Sequence, residues 1–541
     1  MHNTLLLYII LILVILFLVM LAQKIKMAYP IMLVLGGLVI SFIPALPEIK
    51  IDPDIIFVIF LPPLLYEAAW QVSWKEFWRW RRVITVFAFL IVILTSVVVA
   101  YVSRSIIPGF TLALGFLLGG IVSPPDAVAA TTVFKSIKVP KATVNIAQGE
   151  SLLNDAASLI VFQFALQAVN TGAFSFGDAA LRFFLVIFGG VGVGLLIAGV
   201  FYVLHRWMPT TANMDIILSI ITPYFMYIIA EKLHVSGVLA VVSGGLFLSQ
   251  RRNVIFSYRS RFQGAGAWSI VGFVLNGLVF MLIGLVLPDV IRGLDGTSLR
   301  SAINYGGLIS LVLIVGRLLS TLGSSVFTVF ISKYITVAYN KPGWRGPLVL
   351  GWAGMRGVVS LAAALSIPVF LDGTKTPFPQ RNLIIFITFI VILVTLVFQG
   401  LTLPLVVKWA KPEDNFSPMS FEEQDIKLAK KLAMAGLHFL DEKYKDDIAG
   451  NELLKNLQHR YETDISILES EDSHSLSEAG HGALTQYLQV STELFEEQRN
   501  LLRKINKKQE VDEEVIRKYQ NLLDIEEEKI RLRANEDGEE V

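Results

Sequence analysis

Long apolar segments separated by short polar loops fill the sequence from residue 5 to residue 408. The hydrocarbon core of a bilayer is about 30 Å thick, so a helix needs roughly 20 apolar residues to cross it. Thirteen segments meet or nearly meet this length, which predicts an all-α membrane protein with about thirteen transmembrane helices. Their approximate limits are 5–22, 28–44, 54–70, 83–103, 110–133, 145–169, 178–204, 214–231, 235–250, 264–287, 302–331, 347–371 and 382–408.

The charged residues divide the chain into two parts. Residues 1–411 contain 29 Lys and Arg against 14 Asp and Glu, a net charge of +15, whereas residues 412–541 contain 17 against 31, a net charge of −14. The sequence therefore predicts a transmembrane domain over 1–411 and an acidic helical domain over 412–541. In the second part, Ser420 and Glu423 are typical of a capping box, and residues 483–533 predict two further helices.

The basic residues also predict the orientation of the chain in the membrane. The loops on one side of the predicted spans contain seventeen Lys and Arg, and those on the other side contain seven. Cytoplasmic loops carry the excess of basic residues, so we expect the N-terminus outside, the C-terminal domain in the cytoplasm and an odd number of spans. The chain has no cysteine, which excludes disulfides and thiolate metal sites.

A few ionisable side chains lie inside the predicted spans, where each costs ~2.5–3.5 kcal/mol on insertion scales and therefore needs a reason to persist. None of the seven histidines lies deep in a predicted span, so a transported proton is expected to bind a carboxylate. The intramembrane charges are Glu67, Asp126, Glu150, Asp155, Arg317 and Arg356.

Two of these carboxylates lie in segments suited to an ion site. Asp126 follows Pro124 and Pro125, which remove backbone donors in mid-span and need a polar cavity or protein around them; a simple helix kink is the alternative. On a helix, Ser151, Asp155 and Ser158 share one face, while Glu150 and Asn154 share the adjoining face. Such a row of oxygen atoms suits a small hard cation; a polar patch that joins helices is the alternative.

The segment 351–358 (GWAGMRGV) interrupts a second span with glycines and contains Arg356. This arginine needs an anionic or carbonyl partner, and Glu150 is the candidate. Arg317 has two possible roles: it forms a structural ion pair, or it tunes the electrostatic field near the carboxylates. Two Gly/Pro-interrupted spans, one in each half of the chain, are typical of carriers built from inverted repeats with broken helices that cross near the midplane.

In combination, these motifs resemble the cation:proton antiporter-1 family of the sodium/proton exchanger superfamily. The motifs are GESLLND at 149–155, SPPD at 123–126, GMRG at 354–357 and FLPPLLYEAAW at 60–70. The resemblance implies thirteen helices, with spans 1–3 and 8–10 as a scaffold and dimerisation domain, spans 4–6 and 11–13 as a mobile core and span seven as the link.

The resemblance also implies the roles of site residues. Asp155 is the implied ion- and proton-binding carboxylate, with Asn154 beside it, and Asp126, Ser151, the backbone around Pro125 and Glu67 complete the site for Na⁺. Glu150 and Arg356 are the implied structural ion pair. Independently of the resemblance, Arg317 and Ser158 are candidates for tuning the electrostatic field at the site. Many relatives place a proline after the aspartate of the fifth span, whereas here the prolines precede Asp126, which leaves the backbone ligands open.

The expected function is an electroneutral 1:1 exchange of sodium, with lithium as a further candidate substrate, for protons by alternating access. A potassium/proton antiporter of the same fold is the alternative. A channel would show rings of pore-lining residues, and an intramembrane aspartyl protease would show a Gly-x-Gly-Asp motif. We expect no enzymatic activity and no cofactor beyond the transported ions. The expected partners are membrane lipid and a second copy of the chain, with no nucleic acid, in a multi-pass protein of the cell membrane that serves sodium transport and pH homeostasis.

The acidic tail and the basic inside loops predict an electrostatic contact that regulates transport or supports the dimer. Deletion of residues 415–541 should therefore shift the pH dependence of exchange or weaken dimerisation, because it removes most of the acidic charge. The measurements are a pH profile in proteoliposomes and the mass of the detergent-solubilised protein. If neither changes, the tail has no such role.

Overall fold

The computed structural model describes residues 2–42, 56–135, 137, 139–172, 176–294, 297–334, 343–371, 375–412, 421–472, 478–507, 511 and 513–534. These residues form helices, connecting turns and one isolated antiparallel bridge between Phe370 and Pro377. The chain forms two compact units, Met1–Asp414 and Asn415–Val541.

The described residues of the first unit form seventeen helices, three of which adjoin or include a short π-helical stretch. Ile56–Phe60 leads into α3, Val86–Ile91 lies within α4, and Val394–Gln399 lies within α17. The helices are α1 His2–Lys24, α2 Tyr29–Ser41, α3 Leu61–Gln71, α4 Trp74–Ile106, α5 Leu112–Val122, α6 Ala127–Lys135, α7 Lys141–Thr171, α8 Phe176–Trp207, α9 Ala212–Lys232, α10 Gly237–Gln250, α11 Arg252–Ile255, α12 Tyr258–Leu285, α13 Leu287–Arg292, α14 Leu299–Ile331, α15 Arg345–Trp352, α16 Val358–Leu365 and α17 Arg381–Ala410.

Length and composition identify the helices that are able to cross a membrane. Within the described ranges, eight helical segments are long and apolar enough to do so, and the broken pair α5–α6 counts as one of them. Three shorter apolar helices, Ile9–Lys24, Tyr29–Ser41 and Gly237–Gln250, add to these. The structure therefore agrees with a multi-span α-helical protein, while the number of thirteen spans stays a prediction.

Side-chain caps fix where several of these helices begin. In each case the hydroxyl oxygen of a Ser or Thr just before the helix accepts a hydrogen bond from a backbone N–H of the first turn, which satisfies a donor that the helix leaves free. The capping residues are Thr111, Thr211, Ser236, Ser257 and Ser298, before α5, α9, α10, α12 and α14.

Helix pairs inside the first unit approach closely where small residues meet. A Cβ atom on Gly37 of α2 would lie 2.4 Å from the carbonyl oxygen of Met281, and one on Gly284 of α12 would lie 2.3 Å from that of Val34. The backbones of α2 and α12 are therefore in direct contact, as small residues permit in membrane helix packing.

The helices of the first unit pack in two sets. Helices α1, α2, α3, α9, α10 and α12 contact one another and are called the scaffold set; α4 to α7 and α14 to α17 contact one another and are called the core set. Helix α8 packs on α9 and α10. The two sets meet where α3 and α10 contact α7, where α12 contacts α16 and where α2 contacts α17. This grouping is compatible with the predicted scaffold and core domains, whose relative motion stays a prediction.

The second unit contains α18 Phe421–Lys443, α19 Lys445–Gly450, α20 Glu452–Asp472, α21 Glu478–Lys507 and α22 Glu513–Ala534. Helix α18 packs on α20, and Arg499 of α21 forms ion pairs with Asp524 and Glu527 of α22. The predicted capping box at Ser420 and Glu423 lies outside the described side chains.

The contact between α2 and α12 predicts the effect of one added methyl group. Gly284→Ala should destabilise the protein by about 1–3 kcal/mol, because the new Cβ has no room against the backbone of α2, and should lower the midpoint of thermal unfolding in detergent. The matched control is Gly307→Ala in α14, where an added Cβ would meet no atom within 4 Å. Equal midpoints for the two variants would contradict the packing described here.

Candidate functional site

The first interrupted span places Asp126 at the start of a helix. Helix α5 ends at Val122 and α6 begins at Ala127. The Oδ1 atom of Asp126 accepts a hydrogen bond of 2.8 Å from the backbone N–H of Val128, so Asp126 caps α6. The cap satisfies one donor of the first turn and places a negative charge at the positive end of the helix.

The second interrupted span meets the first at Asp126. The backbone N–H of Asp126 donates a hydrogen bond of 2.7 Å to the carbonyl oxygen of Met355, between α15 and α16. A Cβ atom on Gly357 would lie 1.9 Å from Asp126 Oδ2. A glycine at this position therefore permits the carboxylate to lie directly against the second interruption.

Helix α7 holds the first interruption in place. The side-chain amide of Asn154 donates a hydrogen bond of 3.1 Å to the carbonyl oxygen of Pro125, and Ser151 Oγ accepts one of 3.2 Å from the backbone N–H of Ala127. These bonds replace partners that the broken helix lacks, as a membrane interior requires. They also bring the next residue of α7, Asp155, towards the same region.

Asp126, Ser151 and Asp155 line one cavity of about 120 Å³ between the core set and the scaffold set. Asp155 is buried, and the Oδ2 atom of Asp126 is buried without a hydrogen-bond partner among the described residues. The volume is large enough for a monovalent cation and several water molecules. Two carboxylates and a hydroxyl in such a space suit a small hard cation or a proton.

Several predicted site residues lie outside this cavity. Glu67 accepts a hydrogen bond of 3.1 Å from Gln71 and lies against Gly272 of α12; Gln71 lines the cavity, but Glu67 does not. Ser158 is buried elsewhere and donates to the carbonyl oxygen of Asp155 at 2.9 Å. Asn154 and Pro125 bond to each other, and neither is among the residues that line the cavity. In this conformation Glu67 and Ser158 are therefore not among the residues that line the cavity.

The expected ion pair between Glu150 and Arg356 is wrong, because Glu150 pairs with Arg317. Arg317 Nη2 lies 2.5 Å from Glu150 Oε2, with both side chains almost fully buried. The guanidinium carbon of Arg317 also lies 5.3 Å from the centre of the Phe87 ring. Of the two interpretations of Arg317, the structure favours the structural pair.

Arg356 instead binds backbone carbonyl groups. Its Nε donates to the carbonyl oxygen of Val122 at 2.9 Å, and its other nitrogens donate to those of Ser123 and Gly354. These carbonyls include the free end of α5, where the helix dipole is negative. The guanidinium charge is thus stabilised by the broken helices themselves.

Reasoning from charge alone missed two groups of polar residues. Asn276 and Ser360 line the cavity. Asn276 lies in the middle of the predicted span 264–287, so a search for uncharged polar residues within the predicted spans would have found it.

His205 and Asp215 form a second, buried cluster with an Nδ1–Oδ1 distance of 3.0 Å, and the Ser260 hydroxyl donates a hydrogen bond to Asp215 at 2.7 Å. The boundaries of the predicted spans had placed His205 in a loop.

Comparison with known proteins connects the whole first unit to one family. The family model described as "Sodium/hydrogen exchanger, transmembrane" matches residues 9–409. An uncharacterized Na⁺/H⁺ exchanger of Mycobacterium tuberculosis is 31% identical over 94% of this chain and 92% of its own length.

Other relatives carry more specific names. A sodium, potassium, lithium and rubidium/H⁺ antiporter of Bacillus subtilis is 34% identical over 70% of this chain and 58% of its own length. The low-affinity Na⁺/H⁺ antiporter NhaS1 of Synechocystis is 33% identical over 71% and 69%, respectively. The solved structure of the sodium proton antiporter MjNhaP1 from Methanocaldococcus jannaschii aligns with a TM-score of 0.59 over 75% of this chain and 97% of that one; at 17% identity it shows the shared fold.

The pairing of Glu150 with Arg317 predicts that substitutions of these two residues have non-additive effects on the free energy of unfolding. Glu150→Gln should destabilise the protein by about 3–5 kcal/mol, because it leaves Arg317 buried without its counter-charge. The double variant Glu150→Gln/Arg317→Gln should lose much less than the sum of the single variants, whereas Glu150→Gln/Arg356→Gln should be closer to additive. Unfolding midpoints of the single and double variants in detergent measure both. Stronger coupling to Arg356 would contradict the observed pairing.

Proposed function

The chain belongs to the sodium/hydrogen exchanger family, and from that premise we propose that it exchanges one sodium ion for one proton across the cell membrane, with lithium as a second substrate. The exchange is a secondary transport without cofactor or covalent step. The observation that carries the proposal is the cavity in which Asp126, Ser151 and Asp155 meet between the two helix sets.

Competition for one site accounts for the exchange. A bound sodium ion and a bound proton each cancel one negative charge of the Asp126–Asp155 pair, so the loaded site has the same charge with either ion. Because both loaded forms carry equal charge, a cycle that moves one ion each way transfers no net charge. This is the physical basis for proposing an electroneutral 1:1 exchange.

The same charges prevent a leak. Without sodium or a proton the site carries one more uncompensated negative charge in a membrane interior, which is costly. If the core set moves against the scaffold set only when that charge is cancelled, the unloaded protein does not cross over. A pH difference of one unit then supplies about 1.4 kcal/mol, enough for a roughly tenfold sodium gradient.

The wider assembly belongs to the same proposal. We place the N-terminus outside and the acidic second unit in the cytoplasm, as the distribution of basic residues predicts. The scaffold set is the proposed dimer contact, and the core set is the proposed moving part. Alternating exposure of the cavity to the two sides follows from their relative motion.

Reconstitution of Asp155→Asn tests the proposal. In proteoliposomes that contain a pH-sensitive dye, sodium and lithium pulses should move protons in the wild-type protein, and the variant should lose this response because it cannot exchange a proton for a cation at residue 155. Asp447→Asn, a change at an exposed position of α19, is the matched control and should retain exchange.

The outcomes separate the rival functions. Exchange retained in Asp155→Asn would remove Asp155 from the site. A response to potassium alone would favour a potassium/proton antiporter, and an ion current without proton movement would favour a channel. Dependence of the sodium-driven rate on a clamped membrane voltage would contradict electroneutrality.

A further inference from the structure

Three buried polar atoms without hydrogen-bond partners in the described part of the chain belong to residues that line the ion cavity. They are Asp126 Oδ2, Asn276 Oδ1 and Ser360 Oγ. The side chains of Asn276 and Ser360 are only 8% and 2% exposed. A buried polar atom without a partner costs free energy, and three around one cavity therefore need a common explanation.

The chemistry of these atoms identifies what they are able to bind. All three are oxygen atoms: a carboxylate, an amide carbonyl and a hydroxyl. The carboxylate of Asp126 and the carbonyl oxygen of Asn276 cannot donate a hydrogen bond to an anion, whereas carboxylate, carbonyl and hydroxyl oxygens are the ligands of small hard cations. The cavity also contains Asp155 and Ser151, so its charge is that of a cation site.

The three residues come from different parts of the fold. Asp126 lies at the first interruption, and Ser360 lies in the first turn of α16, directly after the second interruption; both belong to the core set. Asn276 lies in α12, which is held to α2 in the scaffold set by the contacts at Gly37 and Gly284. The cavity therefore has core ligands on one side and a scaffold ligand on the other.

We propose that Asn276 and Ser360 are specificity-determining ligands of the transported cation, and that Asn276 supplies a ligand from the scaffold set that exists only in this conformation. This inference rests on the proposed cation exchange. When the core set moves, Asp126, Asp155, Ser151 and Ser360 move together, whereas Asn276 stays with α12. The cation thus has different oxygen shells on the two sides of the cycle.

Substitution of the two residues tests this assignment. Asn276→Leu, which keeps the size and removes the oxygen, should raise the half-saturating sodium concentration about tenfold, and Ser360→Ala should raise it about threefold. Both substitutions should change the ratio of the half-saturating sodium concentration to the half-saturating lithium concentration. The removed oxygen contributes differently to the binding affinity of ions of different radius. Asn276→Ser, which keeps an uncharged oxygen, should recover part of the sodium affinity lost in Asn276→Leu.

Matched controls separate ligand loss from general damage. Asn304→Leu at an exposed position of α14 and Ser310→Ala, whose buried hydroxyl donates to Gly306 of its own helix at 2.7 Å, should leave the sodium-to-lithium ratio unchanged. If Asn276→Leu does not fold, Ser360→Ala and Asn276→Ser still report the ratio of the half-saturating sodium and lithium concentrations.

Binding measured without transport gives a second readout. Sodium should raise the thermal midpoint of the wild-type protein in detergent, and this shift should shrink in Asn276→Leu and Ser360→Ala but not in the two controls. Unchanged sodium affinity, ion ratio and thermal shift in both site variants would overturn the inference while leaving the Asp155 exchange mechanism intact. Loss of exchange that is equal for all cations, with an unchanged thermal shift, would assign these residues a structural role and also overturn it.

Discussion

Backbone groups inside a membrane must find partners within the protein, because lipid offers none. The two interrupted spans break this pairing, and the rest of the site restores it. Asp126 caps α6 with its side chain and donates its own N–H to Met355. Asn154 binds the carbonyl oxygen of Pro125, and Arg356 binds those at the end of α5. The residues around the cavity therefore stabilise the broken helices, whatever part they take in the proposed ion binding.

This requirement also distributes the charges. Among the described residues of the core set, the buried arginines Arg317 and Arg356 accompany the carboxylates Asp126, Glu150 and Asp155, and each arginine has separate partners. Arg317 neutralises Glu150, while Arg356 is held by backbone dipoles. Neither arginine is among the residues that line the cavity. Asp126 and Asp155 consequently line the cavity without an arginine partner among the described residues, which is the condition that the proposed competition between cation and proton requires.

The sequence predicted the parts of this arrangement that depend on local chemistry. Apolar length indicated the spans, and Pro124, Pro125 and the glycines near Arg356 indicated the interruptions; the cost of a buried charge selected Asp126 and Asp155. It did not predict which arginine pairs with Glu150, since one carboxylate and two arginines allow two pairings and only the tertiary distances distinguish them. Asn276 was missed for another reason. The prediction considered only ionisable residues within the apolar spans, and an asparagine amide carries no charge.

A ligand shell shared between two helix sets has a thermodynamic consequence for the cycle. A ligand shifts a conformational equilibrium only by the difference in its affinity for the two states. Oxygens that move with the core set contribute equally to both states and cannot create that difference. An oxygen that stays with α12, such as Asn276 Oδ1, contributes to one state alone. In the proposed cycle it would therefore bias sodium, but not a proton held on a carboxylate, towards one side of the membrane, so that sodium affinity and proton affinity could be adjusted separately.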